Sequence, residues 1–211
     1  MPLLCHPSAV QPVSVRMQAA PPPGQRDDEL TPAALVASLI DNTLAGEVGR
    51  RGEAWVAAQA VLIGGVIAAP EIPAVSAACR CVGCLSLSLG LLLASAGAYE
   101  LGTSLSPWPQ PVGRNELRTS GVYELCRHPM YAGFLLDCAG VGMLTASSER
   151  LVLTLALYCL FNAKARREED QLEEMHGDAF VSWASRVPRF VPTVSGLREL
   201  PRLLGISESS N

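Results

Sequence analysis

Four apolar stretches of this chain, each a dozen residues or more with at most one charge and each a candidate membrane span, limit its fold more than anything else in it. Ala54–Pro70 holds seventeen uncharged residues, and Cys81–Tyr99 holds nineteen within a run that begins at Ala74. Tyr131–Ser148 carries Asp137 as its only charge, and Leu151–Ala163 has thirteen uncharged residues before Lys164. Inside hydrocarbon a backbone must satisfy its own hydrogen bonds, and a helix of roughly 20 apolar residues does so while crossing about 30 Å. With 49% apolar and 17% charged residues and a mean hydropathy of +0.25, the chain is too apolar for disorder or a coiled coil. The reading is an all-α, polytopic membrane helix bundle with about four transmembrane helices. The fourth run is short, and the stems of Arg150 and Lys164 extend it by snorkelling.

A net charge of −4 with no basic block excludes the electrostatic footprint of a nucleic-acid binder. Seven cysteines do not fit a secreted disulfide scaffold. Cys79, Cys81 and Cys84 have a metal-like spacing but lie in an apolar run with Cys138 and Cys159 in similar surroundings, so all five read as buried, inert thiols and no metal is assigned.

Residues 1–30 form a disordered or targeting segment: Arg16 and Arg26 precede the first acid, Asp27, as in an organelle transit peptide. Residues 31–50 follow as an amphipathic helix, with Thr31 as N-cap, Pro32 at the first helical position and Leu35, Leu39 and Ile40 on the apolar face. A membrane domain then occupies residues 51–193, and 194–211 form a C-terminal tail.

Lysine and arginine collect on the untranslocated side of a membrane. Arg50 and Arg51, then Arg114, Arg118 and Arg127, then Lys164, Arg166 and Arg167 all fall on one side of a four-span arrangement. His128 and Glu168 are each about twenty residues from the turn near Ser147, so both sit roughly 30 Å from it, level at one face. Pro129 suits a helix's first turn and leaves the following amides pointing outward towards an acceptor group. Glu168 and Glu169 would meet a cation there. The plainer alternatives are a helix-capping His128 and a solvated acidic face. Asp137 is expected to pair with Arg80, and His176, beside Gly177, to end a helix.

The stretch TSGVYELCRHPMYAGF, the apolar hairpin after it and then REEDQLEEMHGDAFVSWASRVPRFVP resemble the isoprenylcysteine carboxyl methyltransferase and phospholipid methyltransferase superfamily of integral membrane enzymes, over Leu105 to Pro192. The resemblance implies an S-adenosylmethionine-dependent methyltransferase whose cofactor site is a helical hairpin within residues 51–193. His128, Pro129, Met130 and Tyr131 fall where that family binds S-adenosylmethionine, Tyr123 falls on a further cofactor position, and Asn115, Glu116, Leu117 and Arg118 align with a preceding cofactor-contacting stretch. Glu168 matches the glutamate that engages the cofactor, and Lys164 stands where eukaryotic members place an arginine for the substrate carboxylate. Trp183 replaces a tyrosine common in the family, and PRFVP is closer to bacterial endings. No catalytic residue is assigned, because a donor and an acceptor carboxylate need alignment and desolvation rather than a general base.

The implied partners are the lipid bilayer and a hydrophobic or prenylated methyl acceptor, in a plastid or endoplasmic reticulum membrane. Two other functions compete. Sterol and lipid reductases that use NADPH carry a related element, commonly RHPNY followed by Gly-Glu, where this chain has Met130 and Gly133-Phe134. The other is a non-catalytic membrane protein that keeps the fold.

Overall fold

The structure, a computed structural model, describes residues 31–44, 52–70, 76–106 and 117–191. These are helical with no strand among them. The helices are α1 (Pro32–Leu44), α2 (Glu53–Ala68), α3 (Ala77–Leu101), α4 (Pro129–Leu144), α5 (Ser148–His176) and α6 (Asp178–Ala184), with short 3-10 turns at Gly102–Ser104 and Gly121–Glu124.

Side chains cap three of the six α-helix starts. Thr31 Oγ1 accepts from the Ala34 amide at 3.2 Å, Ser76 Oγ from Cys79 at 3.3 Å and Ser147 Oγ from Arg150 at 3.4 Å. The cap at Thr31 and the proline after it are as the sequence indicated. At the other end of α5, Gly177 (φ 53°) donates its amide to Glu173 O, which ends the helix at His176 as expected.

Helices α3 and α4 lie antiparallel along a seam of glycines. Gly83, Gly90 and Gly97 recur every seven residues on α3 and are all buried, and Gly140 and Gly133 of α4 face the first two. A Cβ on Gly133 would lie 2.6 Å from Gly90 O, so the backbones touch. Ser86 Oγ donates across the seam to Leu136 O at 2.7 Å.

α4 turns into α5 over Thr145–Ser147, and α5 packs along both α4 and α2. Buried Arg150 reaches from α5 to the end of α2, donating Nη2 to Ala69 O at 2.7 Å and to Ile67 O at 3.4 Å. Val66, Leu157 and Phe161 form the core between α2 and α5, with Ala132 of α4.

Three expectations change. Asp137 sits against Gly90, ten residues and about 15 Å along α3 from Arg80, so the pair does not form. Cys79, Cys81, Cys84 and Cys159 are exposed on helix surfaces rather than buried, whereas Cys138 is buried as read. The fourth run is not a short helix: it is the first half of α5, a single helix of 29 residues, or roughly 43 Å, that continues through the charged residues.

Of the described helices, α3 is long and apolar enough to cross a membrane, and α1, α2 and α4 are shorter apolar helices. Large apolar side chains project outward from several of them: Val61 and Ile67, then Leu85 and Leu92, then Val152 and Leu155 are all more than half exposed.

Candidate cofactor site at the α4 entrance

The chain approaches α4 through Leu125, Cys126 and Arg127, and Pro129 occupies the first helical position, where a missing N–H costs nothing. His128 takes the N-cap position, but its side chain makes no capping bond. Instead the ring turns towards α5, with Nε2 at 3.0 Å from Glu169 Oε1 and Nδ1 at 3.5 Å from Glu168 Oε2. The capping alternative is thereby set aside. The expectation that His128 and Glu168 are level holds.

Tyr131, one turn into α4, donates its hydroxyl to Glu168 Oε1 at 2.5 Å. Its ring stacks between His128 (5.5 Å between centroids, 7° between planes) and Phe161 (4.6 Å, 17°). Lys164 Nζ lies 5.1 Å from the same ring and donates to Gln59 of α2 at 3.4 Å.

These side chains border a cavity of about 290 Å³. Tyr123, Arg127, His128, Lys164 and Gln59 supply its polar wall; Pro129, Met130, Phe134, Val56 and Leu39 supply the apolar one, with Leu105 and Ser106 at the margin and Tyr131 between. Leu39 belongs to α1, which is fastened to the bundle by Asn42 Nδ2 donating to Leu105 O at 2.8 Å.

The structure thus brings Tyr123, His128, Pro129, Met130, Tyr131 and Lys164 to one cavity, with Glu168 directly behind Tyr131. Leu117 packs on the cluster of Tyr123, Phe180, Trp183 and Val187, and neither it nor Arg118 borders the cavity. Asn115 and Glu116 lie outside the described residues, as do the 1–30 and 194–211 segments.

Two adjacent carboxylates have separate environments. Burial works against the charge on Glu169, but hydrogen bonds from Arg189 and His128 and the Arg127 charge outweigh it and pull its pKa down to about 2. Arg189 is the main partner, donating Nε to Oε1 at 2.9 Å and Nη2 to Oε2 at 2.5 Å. Glu169 therefore meets its cations within the chain rather than in a ligand. Burial pushes Glu168 up, opposed by His128, the Tyr131 hydroxyl and Lys164. Lys164 is itself lowered by burial, with Glu168 opposing.

Sequence reasoning missed Arg189 as the partner of Glu169, Gln59 as that of Lys164, and Leu39 and Phe134 as walls. The arginine sits in PRFVP, a segment the sequence singled out only for its ending. No local signal marked Gln59, which is one polar residue in an apolar run.

The model of the phospholipid methyltransferase family matches residues 78–179, from the start of α3 to the start of α6. Over these 102 of its 211 residues the chain is similar to that family. It is 38% identical over 117 residues to the cobalt-zinc-cadmium resistance protein CzcN of Cupriavidus metallidurans, covering 53% of this chain and 51% of that protein. It is 34% identical over 82 residues to protein-S-isoprenylcysteine O-methyltransferase B of Arabidopsis thaliana, covering 38% and 42%. With protein-S-isoprenylcysteine O-methyltransferase of Schizosaccharomyces pombe the identity is 30% over 111 residues, covering 51% and 47%. The chain spans about half the length of these relatives. The matched segment holds α3, the α4 entrance and α5, and so every cavity residue named at sequence level.

Proposed function

We propose that this chain is an integral membrane methyltransferase that uses S-adenosylmethionine to methylate a hydrophobic or prenylated acceptor, after the manner of protein-S-isoprenylcysteine O-methyltransferases. The observation that carries the reading is the mixed lining of one cavity, to which Lys164 and His128 bring polar groups and Leu39, Val56 and Phe134 apolar surface. An amphiphilic acceptor needs both.

The residues present suit the cofactor. S-Adenosylmethionine presents a carboxylate, an ammonium, a ribose and a flat base, and when bound it supplies a methyl group on a sulfonium centre. First-turn amides of α4 have no carbonyl one turn earlier to bond, and with the nearby Arg127 they suit the carboxylate. Glu168, which faces His128, the Tyr131 hydroxyl and Lys164 but no arginine among the described residues, suits the ammonium. Met130 and Pro129 supply apolar surface for the base. Lys164 holds an acidic acceptor by charge alone, since an ammonium lacks the two-pronged geometry of a guanidinium. Around these groups Leu39, Val56 and Phe134 exclude water, which favours displacement at the methyl carbon.

In this reading four spans, α2, α3, α4 and the first half of α5, set the cavity at one membrane face, in a plastid or endoplasmic reticulum membrane. The outward apolar side chains on α2, α3 and α5 support this reading.

Purified full-length protein in lipid, given S-adenosylmethionine with a radiolabelled methyl group and N-acetyl-S-farnesylcysteine, is expected to form a base-labile methyl ester. Failure to bind S-adenosylhomocysteine, with tight binding of NADPH instead, refutes the proposal.

A further inference from the structure

We infer that Arg189, ten residues beyond the segment the family model matches, is a positioning residue: through Glu169 it fixes the His128 ring and leaves Glu168, which has no arginine partner among the described residues, as the carboxylate for a cationic ligand. The second half of this statement rests on reading the cavity as a cofactor site. The first half does not.

The segment Pro188–Phe190 crosses the α4 entrance as a strap. Its carbonyls at Pro188 and Arg189 accept from the amides of Arg127 at 2.8 Å and His128 at 3.0 Å, the two residues that precede Pro129. The backbone of the loop is thus set by the strap before any side chain acts. Phe190 then packs against the His128 ring, 6.0 Å between centroids.

All three guanidinium nitrogens of Arg189 point into α5. Nε and Nη2 grip both oxygens of Glu169, and Nη1 donates to Asn162 Oδ1 at 2.6 Å. A planar fork held at three points has one orientation, so the Glu169 carboxylate has one too. That carboxylate presents Oε1 to His128 Nε2 at 3.0 Å, and the imidazole is left with Nδ1 towards Glu168 at 3.5 Å. Without the arginine, two neighbouring carboxylates compete for one histidine, and the ring has no reason to keep this orientation. With it, Glu169 is neutralised inside the chain while Glu168 keeps its charge uncompensated by arginine.

Histidine nitrogen NMR tests this without relying on activity. The chain has three histidines, His6, His128 and His176, so 15N-histidine labelling of the full-length protein in detergent gives few ring signals, and His128→Asn assigns one of them. Arg189→Gln is expected to move the His128 ring resonances and leave those of His176 in place, with Arg189→Lys recovering part of the change. Asn162→Ala, which removes only the outer contact, is expected to move them little. S-Adenosylhomocysteine affinity should fall about 10-fold or more in Arg189→Gln, the scale of one charge-assisted hydrogen bond.

Unchanged His128 signals in folded Arg189→Gln overturn the inference. So do equal shifts in Asn162→Ala, which indicate general loosening. If Arg189→Gln does not fold, Glu169→Gln removes the charge at the same place, and the same His128 displacement is expected. If the wild-type protein shows the arginine-dependent His128 signals but binds no S-adenosylhomocysteine, the positioning stands and the cofactor reading fails.

Discussion

Tyr131 donates its hydroxyl to Glu168 Oε1 across 2.5 Å, and this one bond ties the first turn of α4 to the middle of α5. It also occupies one oxygen of the carboxylate that the proposed cofactor site needs. Ligand binding and hairpin stability therefore draw on the same acceptor.

Tyr131→Phe removes that donor and keeps the ring stack on His128 and Phe161. The loss of a hydrogen bond to a buried charged group is expected to destabilise the protein by roughly 1.5–3 kcal/mol. Thermal unfolding in detergent measures it. An unchanged midpoint removes the bond from the forces that hold α4 to α5.

Glu169 gives the fold an acid limit. Its pKa of about 2 lies below the ordinary 4.5, so its charge stabilises the folded state in full above pH 4.5, and that stability is lost as pH falls through this range towards 2. The window is worth roughly 3 kcal/mol at most. Glu168 acts in the opposite sense, because burial raises its pKa and acid relieves the cost. Comparison of wild type with Glu169→Gln isolates the first effect: the stability gap between them should shrink between pH 5 and pH 3. A gap independent of pH shows that Arg189, Arg127 and His128 do not hold the charge of Glu169.

A valine at Gly133 has nowhere to go. Its Cβ would meet Gly90 O at 2.6 Å and Ala94 N at 2.7 Å, both backbone atoms that cannot swing aside. Gly133→Val should cost at least the roughly 1–3 kcal/mol of core overpacking. Gly64→Ala, whose Cβ meets nothing within 4 Å, should be neutral or stabilising by up to about 1 kcal/mol. Equal unfolding midpoints for the two variants would contradict the seam.

Sidedness is testable apart from chemistry. Glu124, Glu173 and Ser148 are all exposed, the first two near the cavity end of the bundle and the third at the opposite turn. Single cysteines there, in a background otherwise free of cysteine, should react with an impermeant maleimide from one side at 124 and 173 and from the other at 148. Reaction of 124 and 173 from opposite sides would refute a shared site at one membrane face.

Much of this was legible because helices are local. Long uncharged runs located α2, α3, α4 and the first half of α5, and a count of residues from Ser147 set His128 beside Glu168. Thr31, Pro129 and Gly177 marked helix ends through capping chemistry that depends on neighbours in sequence. What escaped depends on pairs far apart in the chain. Arg189 finds Glu169 twenty residues away, Lys164 finds Gln59 across 105, and Asp137 meets Gly90 rather than Arg80 because seam register, not hydropathy, decides which residues are opposite. The exposed Cys79, Cys81 and Cys84 show the same limit, since an apolar run does not say which face points inward.

The glycine seam has a further consequence. Its spacing of seven on α3 is matched by the spacing between Gly133 and Gly140 on α4, so sliding one helix past the other by one repeat would again set glycine against glycine, Gly83 opposite Gly133. Such a slip, about 10 Å of travel, would carry the α4 entrance and His128 two helical turns along α3. The seam is thus a ruler with repeated marks: it fixes how near the two helices come and leaves open which mark is read. The choice falls to the polar contacts that cross to α3, from Ser86 Oγ to Leu136 O and from the Tyr123 hydroxyl to Gly97 O, so a residue that lines the cavity also helps to select the register of the fold.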